Sequence, residues 1–285
     1  MSGIVWLASY PKSGNTWFRV FLANLLADAD TPASINDLDT PIASARELFD
    51  ETVGFDASDL SLDEIDRLRP EIYCHLAGGL KEPYFMKIHD AWTLLEDGRP
   101  LIPAAATAGA IYFTRNPLDV AVSFAHHSGW DYDTAIASMA DDNFTFCGTP
   151  TCLHNQFRQR LLSWSAHVLS WVDRPPFPVC VLRYEDLKAS PRETFTRAVR
   201  FAGLHHSAVQ IEKALAFSRF ETLRRQEDAE GFREKSAATI RFFRAGQAGS
   251  WRSELNASHV KRIVSDHGEV MQRFGYLDEN GEVVC

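Results

Sequence analysis

Four short apolar runs, each followed by a turn and then by helical spacing, constrain this chain more than any other feature. They are "GIVWLASY" (3–10), "PYFMKIHD" (83–90), "GAIYFTRNP" (109–117) and "FPVCVLRYEDL" (177–187), and each reads as a buried strand. After the first, residues 15–27 set Trp17, Val20, Phe21 and Leu25 at helical spacing. Pro117 opens a helix to about residue 127, and Ser190 with Pro191 opens another that Gly203 closes. In "SLDEIDRLRP", Ser61 and Glu64 have the spacing of a capping box, and Asp186 reads as the cap of the turn after its strand. Residues 154–173 read as helical, 28–80 as the most polar stretch, and 128–153 as an aromatic loop. Strands alternating with helices imply an α/β fold with a central, mainly parallel sheet flanked by helices. No repeat or low-complexity linker divides the chain, so residues 1–285 are expected to form a single domain.

Composition narrows the function classes. Apolar residues make up 45% of the chain, enough to bury a sizeable core. The net charge of −9 argues against nucleic acid as a partner, because a nucleic-acid binder needs a basic face. No run approaches the length of a membrane span, and the start "MSGIVWLASYPK" lacks the features of a secretory signal. Five scattered cysteines fit a reducing, cytoplasmic compartment, with Cys147 and Cys152 close enough for an adventitious disulfide. No carboxylate cluster calls for a metal ion: Asp90 and Asp119 stand singly and read as structural.

An anion site in so acidic a protein must concentrate its cations locally. "SYPKSGNTW" (9–17) lies between the first strand and its helix, where backbone N–H groups and the helix dipole favour negative charge. Gly14 lets a ligand approach the backbone, Lys12 adds a point charge, and Ser13, Asn15 and Thr16 add donors. The nucleotide-loop spacing G-x-x-x-x-G-K-[ST] is absent. "TRNPLDVAVS" supplies a second candidate: Arg115 at a strand end can fork onto an oxyanion, and Ser123 sits roughly 9 Å along the following helix.

"YPKSGNTW", "RNPLDVAVS", "LRYEDL" and "RAGQAGSWR" occur in that order, and together they resemble the signature segments of the cytosolic-type sulfotransferases, in the style of bacterial members acting on small molecules or natural products. The resemblance spans residue 4 to about 255. It implies the donor 3′-phosphoadenosine 5′-phosphosulfate (PAPS), with 3′-phosphoadenosine 5′-phosphate (PAP) as product, and so explains two anion sites. By resemblance, the P-loop-like segment Lys12, Ser13, Gly14, Asn15, Thr16 and Trp17 surrounds the 5′-phosphosulfate. Arg115 and Ser123 take the 3′-phosphate, and Arg244 and Gly246 belong to a late loop closing over it. Trp17, Tyr184, Ser218 and Phe220 match the adenine positions. The chain departs from the pattern at Asn15, where threonine is commoner, and at Arg252, where lysine is commoner. The dimerisation segment of many animal members is not recognisable after Trp251, so the sequence sets no oligomeric state.

Lys87 and His89 stand two apart on a predicted strand and so share a face. A histidine near its neutral pKa is a natural general base for a hydroxyl attacking sulfur, and a lysine stabilises charge moving onto the leaving phosphate. The resemblance matches His89 to the family's base and Lys87 to its neighbouring lysine, with Lys12 as a second catalytic cation. For the acceptor, a small-molecule phenol or alcohol, Phe124, His126, His127 and Trp130 are candidate contacts. Residues 28–80 and 128–153 are then the variable acceptor-side segments, and 224–251 a lid ordering on donor binding. Two other readings stay open: a P-loop-type nucleotide kinase or NTPase, and a non-catalytic nucleotide-binding protein. Within the family, a dehydratase that sulfonates an alcohol and eliminates the sulfate is a further variant.

Overall fold

The computed structural model describes residues 2–149, 154–236 and 238–284, so Cys152 and with it the Cys147–Cys152 pairing lie outside the described residues. In chain order the elements are β1 (Gly3–Ser9), α1 (Asn15–Ala27), α2 (Arg46–Val53), α3 (Leu62–Ala77), β2 (Pro83–Ile88), β3 (Thr107–Thr114), α4 (Pro117–Ser128), α5 (Tyr132–Ala140), β4 (Thr145–Phe146) and β5 (Gln159–Arg160). There follow α6 (Trp164–Asp173), β6 (Val179–Arg183), α7 (Tyr184–Ala189), α8 (Pro191–Phe201), α9 (Ala208–Phe217), α10 (Phe220–Glu230) and α11 (Ala257–Arg273). The central sheet has the order β2-β1-β3-β6, with β1 and β2 parallel from Gly3 opposite Pro83 to Ala8 opposite Ile88. β4 and β5 form a small antiparallel pair.

Two compact units are distinguishable. The first comprises Met1–Tyr10, Thr40–Tyr112 and Asp141–Val181. Every residue of β1 is buried, and Trp6 satisfies its indole N–H on the Thr107 hydroxyl at 2.8 Å. Full burial of each large apolar side chain in such a strand contributes about 1.5–3 kcal/mol. Phe49, Ala57, Ile65, Ile72 and Phe157 form a second cluster under α2 and α3. The same unit holds a buried ionic group. Arg69 grips both oxygens of Asp90 at 2.6 and 3.2 Å, and Asp66 takes Arg158 at 2.6 Å and Arg160 at 3.0 Å.

The second unit comprises Pro11–Asp39, Phe113–Ala140 and Leu182–Cys285. Phe18, Phe21, Phe113 and Phe195 pack as an aromatic core on one face of α1. Val20, Ile35, Leu223, Phe232 and Phe243 form another cluster, with Trp17, Leu38, Phe220 and Phe242 packed against it.

Several local expectations are corrected. Tyr132–Ala140 is a helix inside the segment read as loop, with Ala135, Ile136 and Met139 buried. Of residues 154–173 only the last ten are helical; Ser163 caps them by accepting from the Ala166 N–H, and Gln159–Arg160 is a strand. The strand read over 177–187 ends at Arg183, and Tyr184 starts α7. Ser61 and Glu64 do form their capping box, but α3 continues past Pro70 to Ala77. Proline there forfeits one intrahelical bond, while Ile65, Ile72 and Tyr73 keep the helix buried on both sides of it. Ser190 makes no side-chain capping bond. Asp186 contributes its carbonyl, which accepts from the Ser190 N–H at 2.8 Å, rather than a capping carboxylate.

Candidate active site

The second unit holds the loop between β1 and α1. Lys12 has φ +71° and Gly14 φ +101°, a tight left-handed path that brings the loop under Tyr184. A β-carbon at Gly14 would lie 2.8 Å from the Tyr184 ring, so glycine is required for this approach. α1 starts at Asn15 with no side-chain cap, which leaves its first backbone donors for a ligand. Thr16 is half-buried in its first turn. Lys12 Nζ stands 3.9 Å from the centre of the Phe242 ring.

Arg115, just beyond β3, is nearly buried. It donates to the carbonyls of Lys12 and Gln247, both at 3.1 Å, and its guanidinium lies 4.3 Å over the Tyr184 ring. The Ser13 hydroxyl and Arg115 Nε are buried donors in this region with no hydrogen-bond partner. An unsatisfied buried polar group costs about 1–3 kcal/mol, and an anion resting on the loop would relieve both. The chemistry of the residues therefore fits a phosphate-bearing ligand.

The aromatic residues gather in the same unit. The Trp17 indole donates to the Ser218 carbonyl at 2.9 Å, and its ring meets Tyr184 and Phe195 edge-on. The Ser218 hydroxyl is turned inward onto the Ala214 carbonyl at 2.9 Å. Gly246, with φ +63°, passes so close to Phe220 that a β-carbon would lie 2.2 Å from the ring. Asp119 ties down the next residues, accepting from the Gly249 and Trp251 amides and the Ser250 hydroxyl.

Arg244 takes a different partner from its neighbours. It donates to Glu254 at 2.7 Å, and the other oxygen of that carboxylate accepts from Tyr132 and is bonded to His126 Nε2 at 2.8 Å. Burial pushes the Glu254 pKa up, but the bonds from Tyr132, His126 and Arg244 outweigh it and hold the group at about 2. Nothing in the sequence singled out Glu254; its position three residues after Trp251 was the available signal. His127 is paired with Thr239, whose hydroxyl donates to its carbonyl at 2.7 Å. Ser123 is half-buried on α4, as is Trp130 beyond it. Phe124, read as an acceptor contact, has no exposed surface and packs edge-on against Trp130, so it is a core residue. Within 224–251, read as a lid, the first turns belong to α10. Beyond α10, the Phe242 and Phe243 amides donate to Glu227, and Glu234 pairs with Arg19 at 2.6 Å.

The first unit holds Lys87 and His89. β2 stops at Ile88, so His89 is the first residue beyond the strand, which corrects the reading that set it with Lys87 on one strand. Lys87 is buried, with its backbone bonded to Pro41 and Ala43. His89 Nδ1 lies 2.7 Å from the Ser9 carbonyl and 3.2 Å from its hydroxyl. A carbonyl can only accept, so Nδ1 carries the proton, and the lone pair of the neutral ring resides on Nε2.

Among the described residues no group of three or more His, Cys, Asp or Glu side chains is arranged to hold a metal ion. Nor is any described helix long and apolar enough to cross a membrane.

The model of the family described as "Sulfotransferase domain" matches residues 3–275. The chain belongs to this family. The sulfotransferase is 24% identical over 276 residues to Cytosolic sulfotransferase 5 of Arabidopsis thaliana, covering 94% of this chain and 80% of that protein. It is 21% identical over 287 residues to Sulfotransferase 1 family member D1 of Rattus norvegicus, covering 93% and 82%. Among solved structures it shares the fold of retinol dehydratase in a complex with retinol and PAP. That match has a TM-score of 0.63 at 21% identity and covers 95% of this chain and 82% of that one. It also shares the fold of mouse sulfotransferase SULT7A1 complexed with PAP, with a TM-score of 0.58 at 19% identity over 98% and 86% of the two chains.

Proposed function

We propose that this sulfotransferase moves a sulfuryl group from PAPS to the hydroxyl of a small molecule, acting as one catalytic domain in the cytoplasm. The observation that carries the donor assignment is the pair of buried, partnerless polar atoms, Ser13 Oγ and Arg115 Nε, beside the β1–α1 loop. Two relatives of the same fold are complexes with PAP, which has the phosphate groups that such a loop suits.

In this reading the acceptor oxygen attacks sulfur while His89 Nε2 takes its proton. The bond from sulfur to the 5′-phosphate oxygen breaks, leaving a sulfate ester and PAP. Lys12 and Lys87 neutralise the charge that develops on the leaving phosphate. Asn15, Thr16 and the α1 N-terminus hold the 5′ group. Arg115 and Ser123 hold the 3′-phosphate, and Arg244 and Gly246 close over it. Trp17, Tyr184, Ser218 and Phe220 receive adenine. His126, His127 and Trp130 are the proposed acceptor contacts, with 28–80 and 128–153 shaping that side. The segment 224–251, whose first turns belong to α10, is the proposed lid.

The test supplies sulfur-labelled PAPS with panels of phenols, aliphatic alcohols and amines. Label should pass to a hydroxyl compound, and His89→Ala should slow transfer by about 10²–10⁴-fold while PAP binding is retained. Turnover of His89→Ala at the wild-type rate would sink the base assignment. Arg115→Ala should weaken PAP far more than adenosine 5′-phosphate; equal weakening would show that Arg115 does not read the 3′ group.

A further inference from the structure

One face of α6 grips the backbone that follows β2. His167 Nε2 lies 3.0 Å from the His89 carbonyl, the Trp171 indole donates to the Asp90 carbonyl at 3.0 Å, and the Ser170 hydroxyl accepts from the Trp92 amide at 3.0 Å. These three residues stand at i, i+3 and i+4, the spacing that puts side chains on one helix face. Asp90 is locked from its other end as well: its carboxylate holds Arg69 and accepts from the Arg160 amide at 2.9 Å.

His167 itself is fully buried, with Tyr10 edge-on to its ring at 5.4 Å and Tyr112 tilted by 30° at 5.7 Å. A buried imidazole among aromatic rings is costly unless its nitrogens are bonded. Both are. A carbonyl partner requires Nε2 to carry the proton, so Nδ1 accepts from the Tyr112 hydroxyl at 2.9 Å. Burial lowers the His167 pKa to about 4, which keeps the ring neutral in this single tautomer near neutral pH. An apolar residue would fill the same space without needing either bond. What histidine adds is a donor aimed at the peptide of His89.

We infer that His167 is a positioning residue for the general base: by holding the His89 carbonyl it keeps His89 Nδ1–H on the Ser9 carbonyl and the basic lone pair on Nε2. The inference rests on the reading of His89 as the base. Trp171 and Ser170 continue the same clamp over the next residues, so the base sits on a backbone that cannot rotate freely. A misplacement of about 1 Å in a reacting group can cost about 10²-fold in rate.

The test compares His167→Leu, which removes both ring nitrogens, with His167→Gln, whose side-chain amide reaches the same carbonyl. Leu should lower kcat by about 10²-fold with little change in PAP affinity or in KM for the donor, and Gln should restore most of the loss. Nitrogen NMR of His89 should show Nδ1 protonated in the wild type and in Gln, and a mixture of tautomers in Leu. The inference is overturned if His167→Leu keeps the wild-type kcat, or if Leu and Gln lose activity equally and in step with melting temperature. His89→Ala is run in parallel. If it turns over normally, the base reading fails and takes this inference with it. If it is inactive while His167→Leu is unimpaired, only the positioning role falls.

Discussion

The Asp119 carboxylate accepts a hydrogen bond from the Gly249 amide at 2.6 Å. Its other oxygen takes the Ser250 hydroxyl at 3.0 Å and the Trp251 amide at 3.1 Å, and Arg115 Nη2 stands 3.8 Å from the oxygen that Gly249 bonds. One fully buried acid in the first turn of α4 thus organises the late loop and the proposed 3′-phosphate arginine together. Asp119→Ala leaves three donors without their acceptor, each costing about 1–3 kcal/mol if it stays dry. The melting temperature should fall, and PAP affinity should drop on the order of tenfold, about 1.4 kcal/mol. Asp119→Asn, which retains one acceptor oxygen, should lie between. Calorimetric titration with PAP decides the matter: unchanged affinity in a destabilised Asp119→Ala would detach this loop from the nucleotide site.

Gly246 makes a sharper test of the same loop. Its left-handed φ of +63° already disfavours a side chain, and the Phe220 ring occupies the place of the missing β-carbon. Gly246→Ala must displace Phe220, one of the proposed adenine contacts. The cost should exceed the roughly 1 kcal/mol of backbone strain alone, and PAP binding should weaken along with stability. A Phe220→Ala,Gly246→Ala double variant relieves the clash, so it should recover stability relative to Gly246→Ala without recovering nucleotide affinity. Additive losses in thermal melts would contradict that coupling.

Arg69 bears on the other unit. Its side chain is 1% exposed and faces Asp66 and Asp90, which are equally buried. Arg69→Met removes the cation and leaves Asp90 without its charged partner. Breaking a buried pair from one side costs about 3–5 kcal/mol, so denaturant melts should show a loss of that order. Asp90 adjoins His89, and turnover should therefore fall further than the fraction of folded protein. Activity that tracks the folded fraction alone would confine Arg69 to stability.

Much of this was legible where the determinants are local. The run from Gly3 to Ser9, the polar turn and the apolar spacing of α1 carry their own structure, and so does the Ser61–Glu64 box. The loop from Lys12 to Trp17 was readable because one continuous segment contains it. α5 was hidden because its buried face is only Ala135, Ile136 and Met139, set among aromatic and acidic neighbours that suggest a loop. Phe124 was misassigned because a phenylalanine beside Ser123 on an apolar helix suits a pocket wall as well as a core; only its packing on Trp130 separates the two. Arg244 with Glu254, and His167 with His89, depend on tertiary approach. The second pair is 78 residues apart in the chain, and no spacing rule reaches that far.

His167 also sets a pH dependence that is separate from turnover. Its pKa in the folded protein is about 4, lowered chiefly by burial and only partly offset by its bond to the His89 carbonyl, against 6.5 for an ordinary histidine. Above pH 6.5 the ring is neutral in both folded and unfolded chains and contributes no slope. As the pH falls from 6.5 towards 4, the unfolded chain takes up a proton that the folded chain refuses, so stability is lost over that window. Below about 4 both states are protonated and this contribution levels off. The full loss is on the order of 3 kcal/mol, since each tenfold difference in proton affinity between the two states is worth about 1.4 kcal/mol. His167→Gln carries no titrating ring. Its denaturation midpoint should therefore decline less than that of the wild type between pH 6.5 and 4, measured by urea melts at half-unit steps. Parallel declines in the two proteins would mean that the imidazole can take up its proton inside the folded core.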